Sequence, residues 1–239
     1  TPQVQGFFAS KGYRPVDPKI LNSKRWRNKF PRVKGLFDIG YLRPVPGIVH
    51  MQPKDEDEFC DMLWTMANYH SGPIAIRYPR GMGTGAEPKQ RPVILEIGTA
   101  EVLRHGSRVA IIALGTMVEV ALEAATKLEE QGISTAVINA RWIKPLDATT
   151  IEFFARGCEM VCTMEDHVLH NGFGCAVMEH LAERRITTPV VRVGWPDQFI
   201  EHGSVPILRK KHGLTAEATV EKIVTALPVR KGIRVKSAA

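Results

Sequence analysis

"RVAIIALG" (Arg108–Gly115) is the stretch on which the fold turns. It is an almost unbroken apolar run between an arginine and a glycine, the mark of a strand buried on both faces, as in parallel sheets. The residues beyond it keep to that scheme. Thr116, with Glu119 three residues on, has the spacing of a capping box. Val120, Ala124 and Leu128 then fall on one helical face, and Gly132 is placed to end the helix. "STAVINA" (134–140), "EMVCTME" (159–165) and "PVVRVG" (189–194) read as further strands. Helices are expected at 148–156, 174–185, 205–212 and 215–227. Strands alternating with helices imply a mainly parallel sheet with right-handed crossovers. The fold class is α/β, and residues 93–228 are expected to form a complete domain.

Toward the N-terminus the pattern thins. "IVHMQ" (48–52) and "IAIRY" (74–78) read as strands. Between them Asp55 and Glu58 give a second capping-box spacing, and Phe59, Met62, Leu63 and Met66 form a helical stripe that Ser71-Gly72-Pro73 stops. Two strands and one helix are too little for an independent sheet. Residues 35–81 are therefore expected to be an incomplete domain, or one whose sheet is completed by the leader or by another chain. Residues 82–92, rich in Gly, Pro and charge, read as a linker.

The net charge of +7 is unevenly placed. Residues 1–34 carry nine Lys and Arg against Asp17, a local +8, and the rest of the chain is at −1. This basic leader has no recognisable strand or helix period, and residues 229–239 form a basic tail. Such a segment can meet nucleic acid or an anionic surface. No nucleic-acid-binding fold accompanies it, so a solvated segment is the plainer reading and neither nucleic acid nor membrane is expected as a partner. No run approaches the ~18 apolar residues of a spanning helix, and no signal-peptide core is visible. The four cysteines form no C-x-x-C pair and suit a reducing, cytoplasmic compartment.

Ligands of open parallel sheets bind at the C-terminal ends of the strands, and three loops lie there. In "RYPRGMG" (77–83), Arg77 and Arg80 frame a proline beside glycines. Such arginines can grip a phosphate or carboxylate with two hydrogen bonds, and are equally read as surface arginines in a turn. In "EDHVLHNGFG" (165–174) the acids and histidines lack the H-E-x-x-H spacing, so Glu165 and His167 are read as lining an interface, with no metal. In "GWPDQFIEHGS" (194–204), Trp195 and Phe199 either fold over the sheet end or meet another subunit. There is no P-loop, no G-x-G-x-x-G and no G-x-S-x-G elbow.

These loops carry a resemblance. "FDIGYLRPVPGIVHMQPKDEDEF", "GPIAIRYPRG", "GTMVEVALEAATKL", "RWIKPLD", "EDHVLHNGFGCAVMEHL" and "GWPDQFIEHGS" occur here in the order of the C-terminal half of the 1-deoxy-D-xylulose-5-phosphate synthase family, which belongs to the transketolase superfamily. The resemblance covers about residues 35–227. It implies the tail of a pyrimidine-binding domain at 35–81 and a complete transketolase C-terminal domain at 93–228. It also implies thiamine diphosphate and Mg²⁺ in the complete enzyme. In the implied transferase reaction, which feeds isoprenoid precursor synthesis, pyruvate loses CO₂ and its remaining two carbons join the aldehyde of glyceraldehyde 3-phosphate, the thiazolium supplying the hard chemistry. Arg80, with Arg77, matches the arginine placed for the substrate phosphate, and Asp38 and Tyr78 are candidates for lining the site. A homodimer is expected. Three features depart from the family. No G-D-G occurs, the cofactor-activating Glu would fall upstream of Phe37 where only the leader stands, and Val33 occupies the place of the His in H-x-G-x-F-D. A valine transfers no proton. No catalytic residue and no tightly held cofactor are expected in this chain alone. It is expected to need the missing N-terminal synthase portion or a partner chain. The alternative is a non-catalytic relative kept as a dimerisation or binding module.

Overall fold

A computed structural model describes residues 36–79 and 83–228. All of them belong to one compact unit, Lys34–Ala239. The basic leader with Val33, the basic tail and Arg80 lie outside the described residues.

The apolar run becomes β4 (Val109–Ala113), flanked in the five-stranded sheet by β5 (Thr135–Asn139) and β7 (Met160–Val168). β8 (Val190–Trp195) lies beyond β7, and β3 (Glu101–Arg104) closes the other edge. All neighbours are parallel except β3, which runs against β5. Successive side chains of a strand point to opposite faces, and here both faces are covered. Val109, Ile111 and Ala113 enter the cluster beneath α3 (Met117–Glu130) and α7 (Ala216–Ala226). Ala110, Ile112 and Leu114 enter the cluster beneath α4 (Ala148–Gly157) and α5 (Phe173–Glu183). A run with no polar alternation is what such a strand requires. A short helix, α6 (Val205–Lys211), precedes α7.

Upstream lie α1 (Asp38–Leu42), β1 (Val49–Met51), α2 (Glu56–Ala67) and β2 (Ile74–Ile76). β1 and β2 pair in parallel. The open side of β1 is taken by β6 (Trp142–Lys144), which runs antiparallel to it. The small sheet, order β2-β1-β6, thus borrows its third strand from the C-terminal region of the same chain, where the sequence pattern pointed to the leader or a second chain. Trp142, fully buried, fills the small core with Val49, Met51 and Met62. Its indole N–H donates to the carbonyl of Thr99 at 2.9 Å.

Residues 83–95 make a series of bonds to α2. Thr84 Oγ1 and the Gly85 N–H donate to Glu56, the Lys89 N–H to Asp57, the Val93 N–H to Asp61 and the Leu95 N–H to Thr65 Oγ1.

Two local expectations fail for identifiable reasons. Asp55 does cap α2, accepting from the Glu58 N–H at 2.8 Å, but Thr116 makes no such bond to α3. Its hydroxyl is taken by Arg209, 2.7 Å away. β7 also runs three residues past the expected end, so Glu165, Asp166 and His167 lie within a strand rather than in a loop.

Candidate functional site

The C-terminal end of β7 meets α1, β1 and β2, and the two motifs singled out from the sequence interlock there. The Val168 N–H donates to the Leu36 carbonyl at 3.0 Å. His167, fully buried, accepts from the Gly40 N–H through Nε2 at 3.3 Å, and its Nδ1 donates to the Val168 carbonyl at 2.7 Å. One nitrogen accepting and the other donating makes this a neutral imidazole, and burial holds its pKa below the usual histidine value. Asn171 Nδ2 donates to the Gly40 carbonyl at 2.9 Å. Arg43 donates to the carbonyls of Asn171 and Gly172 and pairs with Glu179. From the other side, Lys144 of β6 donates to the carbonyls of Arg43 and Val45, both at 2.8 Å. Gly40 is therefore held on both its backbone groups.

Glu165 has no exposure and lies against the first turn of α5. Its carboxylate accepts from the N–H groups of Phe173 at 2.6 Å and Gly174 at 2.8 Å. A carboxylate at a helix N-terminus meets both free donors and the positive end of the dipole. The glycines of "NGFG" permit the approach: a Cβ on Gly172 would lie 2.2 Å from Glu165 Oε2. Burial nevertheless outweighs these bonds and pushes the Glu165 pKa up to about 7.

Arg77 donates through Nε to both oxygens of Asp38, at 3.0 Å each, and through a terminal nitrogen to the Asp166 carbonyl at 2.6 Å. The Asp166 carboxylate accepts from Trp195 Nε1 at 2.6 Å and from Arg209 at 2.9 Å. His50 on β1 is 1% exposed, and its Nδ1 has no hydrogen-bond partner. Burial drops its pKa to about 4. Gln52 is equally buried, with Oε1 unpartnered, and packs where Gly115, at φ +59°, has no side chain. A second polar seam joins Glu58 of α2 to Asn139 and Arg141, at 2.8 and 2.5 Å, with Glu101 3.1 Å from both Arg141 and Lys54.

The structure thus brings Asp38, Arg77, Glu165 and His167 to one seam. Glu165 and His167, expected to line an interface, and Trp195, expected either to fold over the sheet end or to meet another subunit, are buried within this chain's own fold. Phe199 is 79% exposed, its ring edge-on to Phe37 at 6.1 Å. Tyr78 is 63% exposed against Phe59. Among the described residues no group of three His, Cys, Asp or Glu side chains converges to hold a metal ion. No helix among them is long and apolar enough to cross a membrane. Sequence reasoning missed His50, Gly40, Asn171 and Arg43, whose partners lie too far along the chain to leave a local pattern.

A parallel five-stranded sheet with one antiparallel edge strand, covered by helices on both faces, is the architecture of a transketolase-type C-terminal domain, and the comparisons agree. The model of the transketolase C-terminal domain matches residues 98–219, and the chain belongs to that family. More particularly, it is 55% identical over 197 residues to the 1-deoxy-D-xylulose-5-phosphate synthase of Methylacidiphilum infernorum, and 50% identical over 197 residues to that of Acidobacterium capsulatum. Each alignment covers 82% of this chain and 31% of the relative, so the chain spans under a third of the length of these curated relatives. Among solved structures it is similar to a split-gene transketolase described as an inactive β4 tetramer, at 34% identity and TM-score 0.73, covering 80% of this chain and 62% of that one. The transketolase of Campylobacter jejuni shares the fold at TM-score 0.59 and 17% identity, over 80% of this chain and 28% of that one.

Proposed function

We propose that the chain is the C-terminal portion of a 1-deoxy-D-xylulose-5-phosphate synthase, and that it takes part in the condensation of pyruvate with glyceraldehyde 3-phosphate only when joined by the remainder of that enzyme. The observation that carries this reading is the 55% identity to a synthase across a stretch that includes both interlocked motifs. Among the described residues no set of His, Cys, Asp or Glu side chains converges to hold the Mg²⁺ of a thiamine cofactor. What this chain supplies is position. α1 and the end of β2 are fixed by His167, Asn171 and Asp166. Arg80 is the proposed ligand of the substrate phosphate. Arg77, two-pronged on Asp38, serves instead to hold the end of β2.

β2, an edge strand among the described residues, and the exposed Phe199 suit a partner that carries the rest of the enzyme, and a homodimer of the completed enzyme fits the same reading. The test is reconstitution. Calorimetry on the chain alone should give no saturable thiamine diphosphate binding. Mixed with a chain bearing the G-D-G and the activating Glu, it should form deoxyxylulose phosphate from the two substrates. In that assembly Arg80→Ala should raise the KM for glyceraldehyde 3-phosphate. Tight cofactor binding by the chain alone, or an unchanged KM, would contradict the assignment. A second reading, a non-catalytic assembly module, draws support from the similar split-gene transketolase, an inactive β4 tetramer.

A further inference from the structure

Asp57, Asp61 and Thr65 stand at i, i+4 and i+8, one face of α2. Each side chain accepts a backbone N–H from the segment after β2: Lys89 on Asp57 at 2.7 Å, Val93 on Asp61 at 2.7 Å and Leu95 on Thr65 Oγ1 at 2.8 Å. Glu56, the residue preceding Asp57, takes the Thr84 hydroxyl at 2.7 Å and the Gly85 N–H at 3.0 Å. Asp61 does double duty, since its other oxygen is 2.6 Å from Lys89 Nζ. Asp61 and Thr65 are 3% and 2% exposed, so these acceptors are withdrawn from water and satisfied by the segment itself. Beyond them Leu95 and Ile97 pack against the small core of Val49, Met51, Met62 and Trp142. A segment whose composition reads as a linker is therefore zipped to a helix by side chains, with no strand or helix of its own.

We infer that residues 83–95 form a strap, tied at its start by Glu56, that opens as a unit from the Asp57-Asp61-Thr65 face of α2, and that Asp61, the buried carboxylate of that ladder, governs its release. A carboxylate acceptor makes the stronger kind of hydrogen bond, and Asp61 joins two separated points of the strap, Lys89 and Val93, from a buried position.

The test uses the whole chain and a protease that reads the strap directly. Lys89–Gln90 is a trypsin site, and the Lys89 side chain and N–H are both engaged. In the unaltered chain this bond should be cut slowly and the Lys89, Val93 and Leu95 amides should exchange slowly. Asp61→Ala should speed cleavage at Lys89 by at least ~10-fold, with β4 and β7 amides unchanged. Asp61→Asn, which keeps an acceptor for Val93 but loses the charge toward Lys89, should fall between the two. Should Asp61→Ala fail to fold, Asp57→Ala, which removes the ties to both the N–H and the Nζ of Lys89, should deprotect Lys89, and Thr65→Ala should deprotect Leu95. Cleavage at Lys89 in the unaltered chain as fast as in a free peptide of the same sequence would overturn the inference. So would exchange at 89–95 that none of these substitutions alters.

Discussion

The five-stranded and three-stranded sheets are held by different physics. The first is self-sufficient. β4 lies between two parallel neighbours, both its faces are covered by helices, and Ile111, Ile112 and Leu114 are buried mainly among their own region's side chains, with Leu36 and Ile39 added from upstream. The second has two short parallel strands, a third lent by the other region, and four large side chains for a core. Its smaller core, to which Met66, Tyr69, Ile74, Ile76, Leu95 and Ile97 add partly buried side chains, is joined by polar ties: His167 and Asn171 on Gly40, Arg77 on Asp38, Glu58 on Asn139 and Arg141, and the strap on α2. Apolar burial is tolerant of detail, whereas polar ties at a buried seam depend on every partner being in place. The three-stranded region should therefore be the more easily disrupted, and by more specific means.

The greatest loss is expected at the borrowed strand. Trp142→Ala should cost about 3–5 kcal/mol, the range for emptying a buried tryptophan site. The loss should concentrate on the amides of Val49, Gln52 and Arg77, which bond across or beside the small sheet. Denaturant unfolding combined with hydrogen exchange separates this from a uniform loss.

Next comes pH, where two buried groups at the seam act in opposite directions. The folded pKa of Glu165 is raised from 4.5 to about 7. The unfolded chain ionises first, so stability should fall as pH rises from about 4.5 to 7, by up to about 3 kcal/mol. Glu165→Gln should flatten that slope, read from denaturant midpoints across pH. The folded pKa of His50 is lowered from 6.5 to about 4, so its share of stability is lost as pH falls through that window. His50→Leu should remove the acid limb and relieve the unpartnered Nδ1. Between about pH 4.5 and 6.5 the two contributions oppose and nearly cancel, so the unaltered chain should show a broad optimum centred between about pH 5 and 6, and each substitution should expose the other group's slope; a monotonic profile of the unaltered chain would contradict this.

The mildest changes belong to positions the sequence made conspicuous. Thr116→Val should leave the start of α3 intact, because that hydroxyl accepts from Arg209 and caps nothing. Its cost should fall below the ~1 kcal/mol of a true cap, by thermal unfolding. Phe199→Ser should change the stability of the isolated chain by no more than about 0.5 kcal/mol.

The same contrast explains what could be read from the sequence. The β4–α3–β5 unit was legible because burial on both faces leaves an unbroken apolar run, and Gly132 ends α3 at φ +73° as its position suggested. β6 was not, because three residues between Arg141 at φ +59° and Pro145 carry no period, and their pairing is decided by β1, some ninety residues away. Glu165, Asp166 and His167 look like a loop because charge in a buried strand is the exception; they are tolerated there because the N-terminus of α5, Trp195 and Gly40 satisfy them. The acid ladder on α2 was hidden beside the apolar stripe of Met62 and Met66, since nothing local tells a solvated aspartate from one that receives a strap. The pairing of Asp38 with Arg77 leaves no local trace either.

The division between the two sheets is tested most sharply by native-state hydrogen exchange of the intact chain over a denaturant series. Two isotherms are expected: Val49, Gln52 and Arg77 opening together at lower free energy and with a smaller denaturant slope, and the β4 and β7 amides opening only with the whole molecule. A single isotherm shared by both groups would contradict that division.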